Sequence, residues 1–294
     1  MVNGASGVLG RALIPRLRLR DEVRATVRRP EAAESLRALG AKVAVGRTND
    51  AEALAEILPR VVTLIHLVGG PHQVDDDAIL EANHASTLRA ISAAKAARVP
   101  RFVLASVPGA SPEAQDPFLR AKGLAEEAVA TSGLDYAILR VSHIYGIGGL
   151  WFTAVVQGVL ADPPVAIGGD DAVAPVLVDD VAAVLAAAEA RPGTLDQTWA
   201  LEGPDAISPR AFARMMVGEV AASPEPLRDA TPGAMARLES LLDVALVPSA
   251  VRYLLDPSRA DAPDAAAAFG VDRTPLANGI RRTLEHAATT DPAR

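Results

Sequence analysis

The chain contains no cysteine in its 294 residues. Disulfides, thiolate nucleophiles and Cys-ligated zinc or iron–sulfur centres are thereby excluded. The redox compartment stays open, and a cytoplasmic location is the simplest reading. Aromatic residues make up only 3% of the chain, so the core has to be built from Ala, Val and Leu. Lysine is scarce as well: of 29 Lys and Arg, only Lys42, Lys95 and Lys122 are lysine. Positive charge is in deficit, with a formal net charge of −7, which argues against a nucleic-acid-binding surface. No uncharged apolar run reaches the roughly 18 residues of a membrane-spanning helix, and the N-terminus carries no secretory apolar segment. His66, His72, His84, His143 and His286 form no H-x-x-x-H pair, so no metal site is expected.

What is present is an ordinary globular composition, half hydrophobic and 22% charged, with length for one large domain or two smaller ones. The first half alternates helix-like and strand-like stretches. Leu9–Leu19 reads as a helix, Val23–Val27 as a strand, Glu31–Leu39 as a helix, Lys42–Val45 as extended and Ala51–Leu58 as a helix. Val61–Val68 (VVTLIHLV) is a continuous apolar run, the pattern of a strand buried on both faces of a parallel sheet. Ile79–Ala97 predicts one long helix stopped at Val99-Pro100. Arg101–Ala105, Leu119–Ser132 and Tyr136–Val141 continue as strand, helix and strand. This spacing predicts an α/β, Rossmann-type doubly wound parallel sheet. The second half is less regular. Trp151–Leu160 reads as a helix, Pro175–Val178 as a short strand, and Asp180–Ala190 as a helix capped by Asp179 or Asp180. Thr198–Leu201 is a further strand, and Ser223–Pro232 reads as a Pro-rich connection. The expected division is a nucleotide-binding domain over 1–149 and a smaller, mainly helical C-terminal lobe over 150–294, with 175–201 returning to the first domain.

Gly4, Gly7 and Gly10 stand in NGASGVLG, a G-x-x-G-x-x-G at a strand-to-helix turn. The first glycine permits the tight turn, the second lets backbone N–H groups approach a diphosphate, and the third lets the helix pack close to the sheet. The helix N-terminus adds partial positive charge. Its β–α context makes dinucleotide binding the reading over a ligand-free glycine turn. At the end of the second strand, where an Asp or Glu would hold the ribose 2′-OH of NAD, the chain has Arg28-Arg29-Pro30. A guanidinium there suits the 2′-phosphate of NADP. NADP is therefore preferred and NAD remains an alternative; the competing reading is two solvated arginines.

These segments resemble the extended and atypical short-chain dehydrogenase/reductase superfamily. The likeness is greatest to its branch of NmrA-like proteins and relatives of the nucleotide-binding accessory subunit of respiratory complex I. NGASGVLGRALIPRL resembles the cofactor loop, implying contacts from Gly4, Ser6, Gly7, Val8, Leu9 and Gly10. VRATVRRPE resembles the second strand and its turn, with Arg28 and Arg29. LIHLVGG resembles the fourth strand, with Val68 and Gly69 beside the cofactor. RFVLASVPGA resembles the fifth strand with its serine, Ser106. LDYAILRVSHIYG, APVLVDDVA and WALEGPDAISPRAF resemble later landmarks.

The chain departs from that pattern in three places. The family's Tyr-x-x-x-Lys reads Phe118-Leu-Arg-Ala-Lys122 here, and Phe118 has no ionisable group to act as acid or base. Lys122, followed by Ala125 and Glu126 as in the family's K-x-x-A-E helix, is implied to touch the nicotinamide ribose; a surface lysine is the competing reading. Ser106 either orients a carbonyl or simply ends a strand. Second, only Met1, Val2 and Asn3 precede Gly4, where the family's central first strand normally supplies about five residues. Losing two or three buried apolar residues would forfeit roughly 1.5–3 kcal/mol each, so the resemblance predicts a start further upstream or a truncated chain. Third, Gly46-Arg47-Thr48-Asn49-Asp50 stands where the family often has Gly-Asp-Leu, and Asp50 reads as a helix cap.

Other features read blandly. His66 is a hydrogen-bonded core residue, Asp75-Asp76-Asp77 a solvated loop, and Asn83 a structural brace at the sheet edge. Tyr136 is core, and Tyr145 a structural residue near the cleft. Leu238–Leu255 reads as a core or interface helix. Its alternative, peripheral membrane contact, is disfavoured by the acidic charge. The function expected is an NAD(P)-binding oxidoreductase, NADP(H)-dependent, acting on a small quinone or carbonyl substrate without the usual Tyr, with water supplying the proton. The alternatives are a non-catalytic NADP(H)-binding redox sensor or accessory subunit with a protein partner, and a sugar-nucleotide epimerase or dehydratase.

Overall fold

The computed structural model describes residues 1–27, 29–45, 54, 57–161, 164–190, 195–220, 227–229, 248–256 and 259–290. Arg28, the segment 46–50, most of the helix expected over 51–58, the connection 223–226 and 230–232, and residues 238–247 lie outside them.

The chain begins with β1 (Val2–Asn3), then α1 (Val8–Leu17), β2 (Arg24–Val27), α2 (Glu31–Ala38), β3 (Lys42–Val45) and β4 (Thr63–His66). After β4 come α3 (Asp76–Leu80), a π-helical turn (Glu81–Ala85), α4 (Ser86–Ala96), β5 (Arg101–Ser106), α5 (Pro117–Ala130) and β6 (Asp135–Val141). Next are β7 (Ile144–Tyr145), α6 (Leu150–Leu160), β8 (Val165–Ala166), β9 (Val176–Leu177), α7 (Val178–Ala190) and β10 (Gln197–Leu201). The described elements end with α8 (Pro209–Val220), β11 (Arg228–Asp229), α9 (Pro248–Leu255), α10 (Ala265–Phe269) and α11 (Leu276–Thr290).

Seven strands form one sheet in the order β10-β6-β5-β4-β1-β2-β3, every pair parallel. The fold is a doubly wound Rossmann sheet. The strand order reverses between β1 and β4, and ligands of such sheets bind in the crevice that opens there. β1 is two residues long and fully buried, with Val2 opposite Ile65 and Asn3 opposite His66.

Period-two alternation sorts the strands between two cores. In β5, Val103 faces the core under α1, α2 and α7, while Phe102 and Leu104 face the one under α4 and α5. A separate cluster around Trp151, Phe152, Phe212, Leu254 and Ile280 forms the small lobe. There β8 pairs with β11 and β7 with β9.

Three local readings of the sequence are corrected. The long helix expected over Ile79–Ala97 contains a π turn at Glu81–Ala85. Within it Asn83 Nδ2 takes the Ile79 carbonyl at 2.8 Å, and the hydroxyl of Thr87 donates to the Asn83 carbonyl at 2.7 Å. Such a widened turn often marks a functional site. Asp75 is no solvated loop residue: its carboxylate accepts from the Ala78 N–H at 2.8 Å and caps α3. Asp179 and Asp180 do not cap α7, which begins before them at Val178. Asp179 pairs with Arg16 at 3.1 Å, and Asp180 accepts from the N–H and hydroxyl of Thr274.

Beneath the glycine turn a polar ladder crosses three central strands. Thr26 donates to Asn3 Oδ1 at 3.3 Å, and Asn3 Nδ2 lies 3.1 Å from His66 Nδ1. His66 is completely buried against Phe102. Burial, with a smaller contribution from the Lys122 charge, lowers its pKa to about 3. The folded value lies below the unfolded one, so between about pH 6.5 and pH 3 the unfolded chain takes up a proton that the native state refuses. Stability therefore falls as pH drops through that window, by about 2 kcal/mol between pH 7 and pH 5 from this group. Urea titrations of wild type and His66→Gln at both pH values measure it: the wild type's loss should exceed the variant's by that amount, and equal losses would refute it.

Candidate functional site

The crevice is built from the first turn upward. Gly4 takes φ +87°, and a methyl built on it would stand 2.8 Å from the carbonyl carbon of Leu67 and 2.9 Å from the Val68 nitrogen. The β1–α1 turn thus lies directly against the strand-to-loop exit of β4. The Gly7 N–H closes the turn on the Gly4 carbonyl at 3.2 Å. Gly7 caps α1 with no side-chain hydrogen bond, and the first turn carries no acidic residue. The leading N–H groups of α1 are therefore unclaimed by any cap side chain, and the helix dipole favours an anion there. Gly10 lets α1 sit on the turn: a methyl there would fall 2.5 Å from the Ala5 Cα. These features fit a dinucleotide diphosphate.

Gly4, Gly7, Val8, Leu9 and Gly10 line one side of a cleft of about 440 Å³. Ser6 lines an adjoining cavity of about 930 Å³ together with Arg11, which donates to the Ser6 carbonyl at 3.0 Å and to Ser35 Oγ at 3.1 Å. Val68 backs onto Gly4 without lining the cleft, while Gly69 lines it. The next residue, Gly70, donates to Asn83 Oδ1 at 3.0 Å and accepts from Asn83 Nδ2 at 3.1 Å. Asn83 therefore braces the loop after β4 rather than the sheet edge. Arg29 is exposed just beyond β2; Arg28, the other guanidinium assigned to the 2′-phosphate, lies outside the described residues.

Across the cleft stand Ser106, Phe118 and Lys122. Asp116 caps α5, accepting from the N–H groups of Phe118 and Leu119 at 2.9 and 3.1 Å, with Pro117 in the first turn. That start sets the register that brings Phe118 and Lys122 to one face, four residues apart. Lys122 is no surface lysine: it is buried, and its ammonium donates to the Ala105 carbonyl at 3.0 Å. Burial pushes its pKa down to about 8, against the opposing pull of Glu126. Glu126 is held in a bidentate pair by Arg140 of β6, at 2.7 and 3.0 Å. The Ser106 hydroxyl, at the end of β5, is buried without a hydrogen-bond partner.

The small lobe closes the cleft with residues that sequence reasoning passed over. Trp151 and Tyr253 both line it. Tyr253 meets Phe118 edge to face with ring centroids 5.5 Å apart, and meets His143 edge to face at 5.1 Å. His143 in turn stacks on Trp151 at 5.3 Å and has Nε2 2.8 Å from the Asp256 carbonyl. Nothing in the pattern around V-R-Y-L-L distinguished Tyr253 from a core aromatic. Tyr145 does not reach the cleft: it is fully buried in the small-lobe cluster beside Phe212. Among the described residues no helix is long and apolar enough to cross a membrane.

The model of a family described as NAD(P)H-binding matches residues 4–192. The (4-alkanoyl-5-oxo-2,5-dihydrofuran-3-yl)methyl phosphate reductase of Streptomyces griseus is 32% identical over 218 residues, covering 71% of this chain and 70% of that protein. The mitochondrial NADH dehydrogenase (ubiquinone) 1 alpha subcomplex subunit 9 of Arabidopsis thaliana is 29% identical over 230 residues, covering 73% of this chain and 56% of its own length. In fold, the chain matches the NADPH complex of the quinone oxidoreductase QOR2 from Escherichia coli, with a TM-score of 0.74 at 22% identity over 96% of this chain and 99% of that one.

Proposed function

Because the chain belongs to the NAD(P)H-binding family, we propose that it is an NADP(H)-dependent reductase of a flat, conjugated carbonyl compound such as a quinone or an enone. The observation that carries this reading is one cleft in which buried Lys122 and the unpartnered Ser106 hydroxyl face aromatic walls. Phe, Trp and Tyr number 5, 2 and 3 in the whole chain, yet Phe118, Trp151 and Tyr253 gather here. Such rings favour planar ligands. The Streptomyces griseus relative, by its name, reduces an alkanoyl-substituted oxo-dihydrofuran, itself a conjugated carbonyl.

When bound, the coenzyme supplies hydride from its nicotinamide ring. The N–H groups that open α1 receive its diphosphate. Lys122 donates to ribose hydroxyls, and Ser106 donates to the substrate carbonyl oxygen, orienting it. The aromatic walls hold the flat substrate and keep water out.

Fluorescence titration with NADPH and NADH, followed by turnover with a panel of quinones, enones and aldehydes, tests the proposal. NADPH binding with oxidation by a conjugated carbonyl is expected; no binding would end it. Arg29→Glu should weaken NADPH about tenfold and leave NADH nearly unchanged, a loss of about 1.4 kcal/mol; equal effects on both would refute the 2′-phosphate assignment. Phe118 favours a second reading, a non-catalytic NADP(H) binder. Tight binding without turnover by any carbonyl would select it.

A further inference from the structure

We infer that Tyr253, carried into the cleft by the small lobe, is the proton donor to the substrate oxygen in place of the phenol that Phe118 lacks. The inference rests on the reductase reading above.

Three observations carry it. First, Tyr253 sits against the very residue that occupies the usual phenol position, its ring edge to face with Phe118, and both line the cleft with Lys122 and Ser106. Second, the ring is held in place. His143 packs on it, and the neighbouring Arg252 pairs with Asp116, the cap of the helix that bears Phe118 and Lys122. The helix carrying Tyr253 is thereby pinned to the one carrying Phe118 and Lys122. Third, no hydrogen bond claims the Tyr253 hydroxyl among the described residues, and the Ser106 hydroxyl, on a residue lining the same cleft, is buried and unpartnered. Two hydroxyl donors without acceptors on residues lining one cleft are what a carbonyl oxygen would satisfy.

The chemistry balances. A conjugated carbonyl that gains hydride from the reduced nicotinamide coenzyme, which is oxidised, holds the new electron pair as negative charge on oxygen. That oxygen forms an O–H bond with the Tyr253 proton as the phenol O–H bond breaks. The phenolate then takes a proton from water. Burial, with Asp256 adding to it, raises the phenol pKa to about 12. The group is thus protonated at neutral pH, the form a donor needs; the same shift makes it a weaker acid than a free phenol, so its contribution rests on placement rather than acidity. Ser106 orients the oxygen, and Tyr253, rather than water, supplies the proton.

Tyr253→Phe in the full chain tests this with menadione as the quinone. NADPH affinity by coenzyme fluorescence should change less than twofold, since the coenzyme grip is untouched. The kcat for menadione should fall about 100-fold, the usual worth of a placed general acid. A readout independent of turnover is menadione binding to the NADP⁺-loaded protein, followed by quenching of Trp151. The other tryptophan, Trp199, packs against Phe269 outside the cleft. Menadione affinity should drop about tenfold as one hydrogen bond to its carbonyl is lost. Unchanged kcat and unchanged quenching in a variant that still binds NADPH would overturn this inference alone. Failure of the wild type to bind NADPH would instead overturn the reductase reading. If the wild type binds NADPH but consumes none, the quenching decides: equal menadione affinity in both proteins overturns the inference.

Discussion

Gly10→Ala is expected to abolish measurable NADPH binding and to cost about 3 kcal/mol of folding stability, the upper end for overpacking a tight contact. The sign is the informative part. Glycine inside a helix ordinarily costs roughly 0.5–1 kcal/mol relative to alanine, so on propensity alone the substitution should stabilise α1. Here the new methyl would stand 2.5 Å from the Ala5 Cα. Either α1 retreats from the turn or the turn opens. Both moves carry the N–H groups of the helix start away from where a diphosphate must lie. Urea unfolding at an unchanged m-value and coenzyme fluorescence measure the two effects. A variant that gains stability and keeps its affinity would show that α1 does not grip the coenzyme.

Lys122→Met is expected to move affinity and stability in opposite directions. The ammonium is buried, and its pKa falls to about 8 because burial penalises the charge. The folded value lies below the unfolded 10.5, so at neutral pH the native state carries a charge that the unfolded chain holds more cheaply. A shift of this size corresponds to about 3 kcal/mol, and methionine gives back about 1 kcal/mol of it by leaving the Ala105 carbonyl without its donor. Methionine keeps the length and removes the charge, so the variant should be more stable by about 2 kcal/mol at pH 7. Its NADPH affinity should fall at least about tenfold, the loss of a charge-assisted hydrogen bond to the ribose. The stability advantage should be constant below about pH 8 and shrink as pH rises from 8 to 10.5, where the wild-type lysine sheds its proton in the folded state first. A variant that is destabilised at pH 7, or whose advantage ignores pH, would contradict this account. Stability given up to hold a charge beside a ligand is a recurring feature of binding sites.

The glycine turn, the strand alternation and the Phe118–Lys122 spacing were legible because each is a local pattern with a local cause. The apolar run around Thr63–His66 identified a strand buried on both faces because it is short for a helix and rich in β-branched Val, Thr and Ile. The π turn at Asn83 was not legible: it follows from one amide reaching both a carbonyl of its own helix and a loop that the sequence does not place beside it. Asp75 was read by its charge and not by its distance from Ala78. Tyr253 was invisible for a deeper reason. It lies 135 positions beyond Phe118 in number, in a lobe whose periodicity marks only which side faces a core. Which aromatic meets which across two lobes is decided by packing that no window along the chain contains.

The pinning of Arg252 to Asp116 has a consequence for how the protein matures. On the reading proposed above, the glycine turn that grips the coenzyme is made first and the acid comes on a helix made late; the cavity beside Ser6 is itself walled by Arg282, Thr283 and Thr289 of α11. A nascent form lacking both helices would leave the pocket open on two sides, so the site is completed only when the late helices dock.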